Sequence, residues 1–219
     1  MDYEFLLYYI YTPIKDPKTF TEWTKQLCNR LFIKGRIRIS KEGANGIIGG
    51  SHAALVEFKS IYNACNEFKD VYTQYYHSGL VSTKTNEEQV FTTLNIKTTK
   101  EVISLDLSTN KANMNDIINS GSGTYLSPEQ FHTILNNIQS DSTLHDEYTL
   151  VDIRNQYEVR IGHFNGAINP ETRNFSEIST YFDEHIDEYK GKKVLMYCTG
   201  GVRYELHIYT ITYTLHTFY

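Results

Sequence analysis

The first hundred residues alternate short apolar runs with stretches of helical periodicity. Residues 4–11 are rich in Leu, Tyr and Ile, which predicts a buried strand. Asp16 and Pro17 then resemble a helix start, with Asp at the N-cap and Pro at the first helical position. The apolar face of this helix is predicted from residues at spacings of three and four: Phe20, Trp23, Leu27 and Leu31.

Two further strands and a second helix are predicted next. Charged and apolar residues alternate over 34–40, as in a half-exposed strand, and the two glycines and the asparagine of 41–46 suit a tight connection. A partner strand begins at Ile47, and Ser51 caps a helix that runs to Cys65. With a last strand at 90–94 or 101–105, the order β-α-β-β-α-β predicts an α+β ferredoxin-like domain over residues 1–105, a fold that alone implies no function.

A second domain is predicted over residues 124–219, after a polar, glycine-containing linker at 106–123. It opens with Ser127 and Gln130 at capping-box spacing. The helix that follows should bury four side chains: Phe131, Ile134, Leu135 and Ile138. Apolar runs at 150–153 and 194–197, with a helix around 181–189 between them, predict an α/β domain with a parallel sheet.

Composition excludes several classes of protein. The 219 residues are 40% hydrophobic and 14% aromatic, as in a globular protein of one large or two small domains. No apolar run is long enough to span a bilayer, and the N-terminus carries acid where a signal peptide needs base, so we expect a cytoplasmic protein without a membrane partner. Three cysteines without a CxxC pair predict neither a disulfide scaffold nor a cysteine zinc site. No cofactor or metal site is evident from motifs.

Charge is distributed unevenly along the chain. Residues 1–100 carry 13 Lys+Arg and 10 Asp+Glu, a net charge of +3, and residues 101–219 carry 8 and 16, a net charge of −8. The chain is therefore not a strongly basic protein, and no DNA partner is expected. Arg36, Arg38 and Lys41 remain candidates for contacts with nucleic-acid phosphates, and the alternative is that they form an ordinary charged, exposed strand face.

The segment most informative about chemistry is 194–203. It places Cys198 at the end of a predicted buried strand, and in open α/β sheets ligands bind at the carboxyl ends of strands. The loop that follows consists of Thr199, Gly200, Gly201, Val202 and Arg203. Its glycines allow successive backbone N–H groups to turn inward, and with the arginine they would bind anions and favour a thiolate. Cys198 is thus a candidate nucleophile or persulfide carrier, unless it is a buried structural cysteine beside an ordinary turn.

A second segment, VDIRNQYE at 151–158 followed by IGHFNGAINP at 161–170, completes a resemblance. Together with the cysteine loop, these motifs resemble a rhodanese domain, in which the catalytic cysteine begins the active-site loop. Asp152, Arg154 and Glu158 are candidates for a buried ion-pair set that orients this loop. Four residues separate Cys198 from Arg203, one fewer than in the rhodanese-like cell-cycle phosphatases. By this analogy, the shorter loop favours a site sized for sulfur over a site sized for phosphate.

Four separated motifs resemble one rhodanese subfamily more closely. They are KGRI at 34–37, EGANG at 42–46, GTYLSP at 123–128 and YCTGG at 197–201, and they resemble the tRNA uridine(34) hydroxylase family, which carries a ferredoxin-like domain ahead of a rhodanese domain. The resemblance implies that the wobble uridine of tRNA is hydroxylated to 5-hydroxyuridine, with molecular oxygen as co-substrate and Cys198 as the reactive residue. The three N-terminal cations then become candidate tRNA contacts.

Two alternatives accompany this interpretation. Eukaryotic relatives are rhodanese-like sulfurtransferases, so the protein is alternatively a sulfurtransferase that moves sulfane sulfur from thiosulfate or a persulfide to an acceptor thiol through a Cys198 persulfide. Tyr204 stands where the family has a second cysteine, and residues 205–219 have strand periodicity where the fold calls for a helix. We therefore expect a rhodanese domain that is incomplete at its C-terminus, and a non-catalytic truncated module is the remaining alternative.

Overall fold

The computed structural model describes residues 2–69, 74–77, 81–82, 91–103, 124, 126–200 and 203. The chain divides into two compact units, Met1–Ser104 and Leu105–Tyr219. The predicted linker at 106–123 and the tail after Arg203, with Tyr204, lie outside the described residues.

The N-terminal unit is a mixed sheet with two helices. Its elements are β1 (Asp2–Tyr11), α1 (Pro17–Arg30), β2 (Lys34–Ser40), β3 (Gly43–Gly50), α2 (His52–Ala64), β4 (Gln74–His77), β5 (Val81–Ser82) and β6 (Leu94–Thr98). The main sheet has the order β4-β1-β3-β2-β6, and β5 pairs with β1. Its first four strands pair antiparallel in the order of a ferredoxin-like sandwich, and β6 adds to β2 in parallel.

Both helices begin where local signals predict. The Asp16 side chain accepts hydrogen bonds from the backbone N–H groups of Lys18 and Thr19, each at 3.1 Å. Ser51 Oγ accepts one from the backbone N–H of Ala54 at 3.3 Å. These contacts satisfy N–H groups that have no partner inside the helix, and they fix where each helix starts.

The two helices cover one face of the sheet and form a single apolar core with it. Alternate β1 residues enter this core, and Tyr8 lies fully buried with its ring 5.4 Å from that of Tyr62 on α2. Cys28 on α1 belongs to the same core and is fully buried. This burial raises the pKa of the Cys28 thiol to about 12, so Cys28 is a packing residue rather than a nucleophile.

Two details of the N-terminal unit differ from the prediction. The fourth strand of the sandwich is β4, and the strand expected at 90–94 or 101–105 is instead β6, an added edge strand that begins at Leu94. The connection predicted over 41–46 is a short turn, and β3 already begins at Gly43. Gly43 has φ +141°, and a Cβ there would lie 1.9 Å from the Ile10 carbonyl oxygen, so the sheet requires glycine at this strand start.

The C-terminal unit contains a pair of parallel strands with helices between them. Its elements are α3 (Pro128–Ser140), a 3₁₀ turn (Ser142–His145), β7 (Tyr148–Asp152), α4 (Gln156–Val159), a second 3₁₀ turn (Phe175–Glu177), α5 (Ile178–Tyr189) and β8 (Lys193–Tyr197). Ser127 and Gln130 form the predicted capping box at the start of α3. β7 and β8 pair in parallel over five residue pairs, from Tyr148–Lys193 to Asp152–Tyr197.

The prediction that α3 has a buried face is wrong, because its apolar side chains are only partly buried. No side chain of this helix is fully buried, and its four apolar residues are half-exposed. Phe131 packs against the rings of Phe164 and Tyr197, with centroids 5.6 and 6.3 Å away, so it contacts the edge of the strand pair without being enclosed by it.

Candidate active site at the ends of strands β7 and β8

The two parallel strands end at the same level, and the candidate cysteine follows one of them. Asp152 and Tyr197 are the last paired residues of β7 and β8. The backbone N–H of Ile153 donates to the Tyr197 carbonyl at 3.3 Å, which continues the pairing by one residue. Cys198 comes next, half-buried and outside any disulfide. Its position at the carboxyl ends of parallel strands is where ligands bind in α/β sheets.

The buried carboxylate of Asp152 accepts hydrogen bonds from two side chains, Tyr197 at the end of β8 and Arg154 just after β7. Tyr197 Oη donates a hydrogen bond to Asp152 Oδ2 at 2.6 Å. Arg154 donates from Nε to Oδ1 at 2.9 Å and to Oδ2 at 3.2 Å, from Nη2 to Oδ2 at 2.6 Å, and from its backbone N–H to Oδ1 at 3.1 Å. Arg154 Nη2 also donates to the carbonyl of Gly162 at 2.6 Å, and Tyr197 Oη accepts from the N–H of Phe164 at 3.2 Å. One carboxylate thereby ties the residue before Cys198 to the loop at 162–164.

The hydrogen bonds at Asp152 set the protonation of this network. Burial alone would raise the pKa of Asp152, but the hydrogen bonds from Arg154 and Tyr197 outweigh it, and the pKa lies below its usual value. Burial and the hydrogen bond to Asp152 raise the pKa of Tyr197 to about 12. The carboxylate is therefore charged and the phenol neutral near neutral pH, which is the arrangement that this hydrogen bond needs.

A second carboxylate, Glu158, holds the residues that follow Cys198. Glu158 Oε1 accepts a hydrogen bond from Thr199 Oγ1 at 2.6 Å, and Oε2 accepts one from Arg203 Nη1 at 2.7 Å. Oε2 also accepts the backbone N–H of Asn155 at 3.2 Å, which fixes the carboxylate at the start of α4. The side chains of Glu158 and Arg203 are 15% and 19% exposed, so water screens this pair only partly.

The partners of Glu158 also determine its charge. Burial would raise the pKa of the Glu158 carboxyl, but hydrogen bonds from Arg203 and Thr199 prevail and hold the pKa below its usual value. The anion stays bound to the guanidinium, so the loop is fixed both immediately after Cys198 and five residues beyond it. A cysteine at the start of a loop fixed at these two points can present its sulfur to a sulfur donor or an electrophile.

The structure brings some of the predicted site residues together and separates others. Thr199 is exposed and Gly200 half-buried, whereas Gly201 and Val202 lie outside the described residues, so the predicted cup of inward N–H groups stays a prediction. The predicted ion-pair set divides in two: Asp152 with Arg154, and Glu158 with Arg203. Within the described residues, Glu158 is the member whose hydrogen bonds reach the loop. Arg36, Arg38 and Lys41 are exposed in the N-terminal unit.

Tyr197 has a role that the sequence did not reveal. It belongs to the quoted YCTGG motif, yet its hydroxyl links Asp152 to the 162–164 loop. The available signal was the apolar run 194–197 ending in a residue with a hydroxyl, because a buried tyrosine hydroxyl needs a partner. The partner itself follows from the parallel register with β7, which local sequence does not encode.

No metal centre or membrane-spanning helix accompanies this site in the described part of the chain. Over those residues, no group of three or more His, Cys, Asp and Glu side chains is placed to hold a metal ion. Likewise, no described helix combines the length and apolar character needed to cross a membrane.

Two known protein families match the chain, one in its N-terminal part and one in its C-terminal part. The family described as UPF0176 acylphosphatase like domain matches residues 3–102, and the family described as Rhodanese-like domain matches residues 127–217. The chain therefore combines a UPF0176 N-terminal domain with a rhodanese-like domain. The two-domain architecture predicted from the motifs is thereby confirmed, and the rhodanese match extends to residue 217.

Several curated relatives are named tRNA uridine(34) hydroxylase. A tRNA uridine(34) hydroxylase of Shouchella clausii is 32% identical over 205 residues, which cover 93% of this chain and 57% of that protein. One of Streptococcus thermophilus is 33% identical over 202 residues, covering 91% and 56%. The chain thus spans little more than half the length of the curated relatives it matches. The predicted resemblance to this family is confirmed.

Solved structures resemble the chain only weakly. Full-length HypF, in a phosphate- and nucleotide-bound form, matches with a TM-score of 0.34 and 8% identity over 46% of this chain and 13% of that chain. This score supports no conclusion about function.

Proposed function

We propose that the protein is a tRNA-modifying enzyme of the rhodanese family, with the Cys198 thiol as its reactive group. The proposed reaction replaces the hydrogen at carbon 5 of the wobble uridine by a hydroxyl group. One atom of molecular oxygen enters this hydroxyl, and the other leaves as water, with two electrons and two protons supplied by an external reductant of the thiol class. A tRNA substrate implies that the protein works in the cytoplasm. The observation that carries this proposal is the match over 93% of the chain to a protein named tRNA uridine(34) hydroxylase.

The geometry around Cys198 supports a reactive role for this thiol. The rhodanese match includes its loop. Asp152 accepts a hydrogen bond from Tyr197, the residue before the cysteine. Glu158 accepts hydrogen bonds from Thr199 and Arg203, which both follow the cysteine. A structural cysteine needs no such pair of anchors, whereas a nucleophile gains from being held in a fixed orientation. Arg203 is held in this loop by its ion pair with Glu158.

Sulfur transfer is the second candidate function. In this reaction the Cys198 thiolate attacks the outer sulfur of thiosulfate, a new S–S bond forms, and sulfite leaves. A thiol or cyanide then takes the outer sulfur, as a persulfide or as thiocyanate, and the thiolate is regenerated. The presence of Tyr204 instead of a second loop cysteine favours this candidate, because the cycle needs a single thiol.

Nucleoside analysis of tRNA tests the first proposal. Cells that lack the gene are complemented with the wild type, with Cys198→Ala, or with the matched control Cys65→Ala, which removes a half-buried thiol of the other unit. We expect 5-hydroxyuridine to be restored by the wild type and the control but not by Cys198→Ala. Growth under labelled oxygen gas should place the label in the new hydroxyl group. Unchanged 5-hydroxyuridine in the deletion strain would reject hydroxylation by this protein.

A thiosulfate and cyanide assay on the same proteins tests the second candidate. Wild type and Cys65→Ala should form thiocyanate at equal rates, and Cys198→Ala should form none. Equal rates in all three proteins would exclude Cys198 from sulfur transfer. If neither assay responds in the wild type, the non-catalytic alternative is supported instead.

A further inference from the structure

The outer face of the N-terminal sheet carries a cluster of cations that the proposed chemistry does not use. Arg36 and Arg38 are exposed on β2, and the isoleucine between them is buried. Lys34 begins the same face of this strand, and the parallel register pairs the exposed Lys97 of β6 with Arg38. We name Lys34, Arg36, Arg38 and Lys97 the cation face.

No acidic side chain interrupts the cation face among the described residues. The β3 residues paired with its three β2 members are uncharged: Gly49, Ile47 and Asn45. On β6, the outward neighbour of Lys97 is Asn95, which pairs with Arg36. In the described part of the chain, none of the four cations forms an ion pair with a carboxylate. Like charges held together on a sheet in this way create a positive potential that attracts a polyanion.

We propose that the cation face binds the phosphate backbone of the RNA substrate, an inference that rests on the proposed tRNA function. Alternate residues of a strand are about 6.6 Å apart, and the next strand lies about 4.8 Å to the side. The face therefore matches a chain of phosphates better than a single anion. Arg36 and Arg38 contribute most, because a guanidinium can bind one phosphate through two parallel hydrogen bonds.

The neighbours of the cation face indicate that contact is made to the RNA backbone and not to the bases. The residues that flank this face on β3 and β6 are not aromatic, and the aromatic side chains of β1 lie beyond β3 in the sheet. Tyr9 is 3% exposed, and Phe5 packs against Phe91 with ring centroids 5.5 Å apart. Base stacking on an open aromatic row is therefore not offered there. Binding through phosphates alone positions an RNA without reading its sequence.

Salt-dependent binding to a labelled tRNA transcript tests the cation face. The variant Arg36→Gln/Arg38→Gln keeps the aliphatic stems and removes both charges. The matched control, Lys18→Gln/Lys25→Gln, removes two exposed charges from α1, on the helix-covered side of the sheet. Each lost phosphate contact reduces the slope of log K against log salt by roughly 0.7–0.9, so the arginine variant should lose roughly 1.4–1.8 and bind at least about tenfold more weakly near 0.1 M salt. The control should bind within about twofold of wild type.

Three further measurements distinguish the possible results. A transcript of scrambled sequence should bind as tightly as tRNA, and circular dichroism should show that both variants keep their fold. A second pair, Lys34→Gln/Lys97→Gln, should weaken binding in the same direction by a smaller factor. An unchanged salt slope in the arginine variant, or a marked preference for one RNA sequence that depends on these arginines, would overturn the inference.

The test also distinguishes the inference from the proposed function. Poly-glutamate that binds as tightly as tRNA, with the same dependence on Arg36 and Arg38, would indicate an acidic protein partner and reject RNA. If the wild type modifies tRNA while the arginine variant and the Lys18/Lys25 control bind it equally, the inference about the cation face is wrong and the proposed function stands. If tRNA modification does not depend on the gene while arginine-dependent RNA binding persists, the proposed function fails and the binding face stands.

Discussion

Glu158 and Arg203 form an ion pair with 2.7 Å between Oε2 and Nη1, at the far side of the loop that Cys198 begins. Glu158 reaches the near side as well, through Thr199. A residue on the first turn of α4 therefore controls the shape of a loop that starts forty positions later in the sequence.

Replacement of Glu158 by glutamine should impair both folding and chemistry. The amide can still accept a hydrogen bond from Thr199, but Arg203 loses its anionic partner. We expect the free energy of unfolding to fall by about 1.5–3 kcal/mol, the usual worth of a hydrogen bond to a charged group. Thiocyanate formation through Cys198 should fall roughly tenfold, because small displacements of a reacting group are costly. Urea unfolding and steady-state assays measure the two effects.

A matched control for that substitution is Glu184→Gln on the exposed surface of α5. This variant should unfold within about 0.5 kcal/mol of wild type. Glu158→Asp keeps the charge on a shorter side chain that cannot hold Thr199 and Arg203 together, so it should recover stability more than activity. Wild-type activity in Glu158→Gln would show that the ion pair does not position the loop.

Lowering the pH should destabilise the C-terminal unit by protonating two carboxylates, those of Asp152 and Glu158. Hydrogen bonding in the folded state holds the pKa of Asp152 and of Glu158 below their usual values. A pKa lowered by folding gives stability that is fully present above the unfolded values of about 3.9 and 4.3. It is lost as the pH falls through the lower folded values. The free energy of unfolding should thus decrease from about pH 5 downward.

Urea titrations at several pH values between about 6 and 3 measure this dependence. Glu158→Gln should show a shallower decrease than wild type, because one of the two linked protonations is gone. Parallel curves for the two proteins would mean that Glu158 has the same proton affinity in the folded and unfolded states.

Tyr197→Phe should destabilise the protein although it removes a single oxygen atom. The Tyr197 hydroxyl donates to Asp152 and accepts from the N–H of Phe164, and both partners lose that contact. A loss of about 1–3 kcal/mol is expected, because the buried Asp152 carboxylate loses one of its hydrogen-bond donors. The control Tyr157→Phe removes a hydroxyl from a side chain that is 62% exposed, and it should change stability by less than about 0.5 kcal/mol. Equal unfolding midpoints for the two variants would contradict the proposed bridging role.

Gly43→Ala should disrupt the N-terminal sheet. The new methyl group would meet the Ile10 carbonyl oxygen at 1.9 Å, at a backbone φ of +141° that side chains disfavour. Relief of this clash requires the β1–β3 pairing to shift, and we expect a cost above about 3 kcal/mol. Gly162→Ala is the control, since a methyl group there meets no atom within 4 Å. Thermal unfolding that does not separate the two variants would contradict the required glycine.

Local signals predicted the elements that depend on local physics. The alternation at 34–40 correctly gave a strand with Arg36 and Arg38 outward, because side chains of a strand point alternately to its two faces. Asp16 and Pro17 gave the start of α1, since capping involves residues two or three positions apart.

Long-range pairings were the part that sequence did not reveal. β4 is four residues long, and β6 exists as a strand because β2 offers it an edge to pair with. The division of the ion pairs has the same origin. Asp152, Arg154 and Glu158 are close in sequence, but Tyr197 and Arg203 decide which carboxylate serves which side of Cys198. Such choices depend on strand register and loop path, which no local pattern specifies.

The order of these residues along the chain affects how the site is made. Synthesis proceeds from the N-terminus, so β7, Asp152 and Glu158 all precede β8 and its cysteine. The sulfur is therefore added to a polypeptide that already contains both of its anchoring carboxylates. A nascent chain never carries this thiol without the acids that orient it, which limits the time during which an unanchored, oxidisable cysteine is exposed.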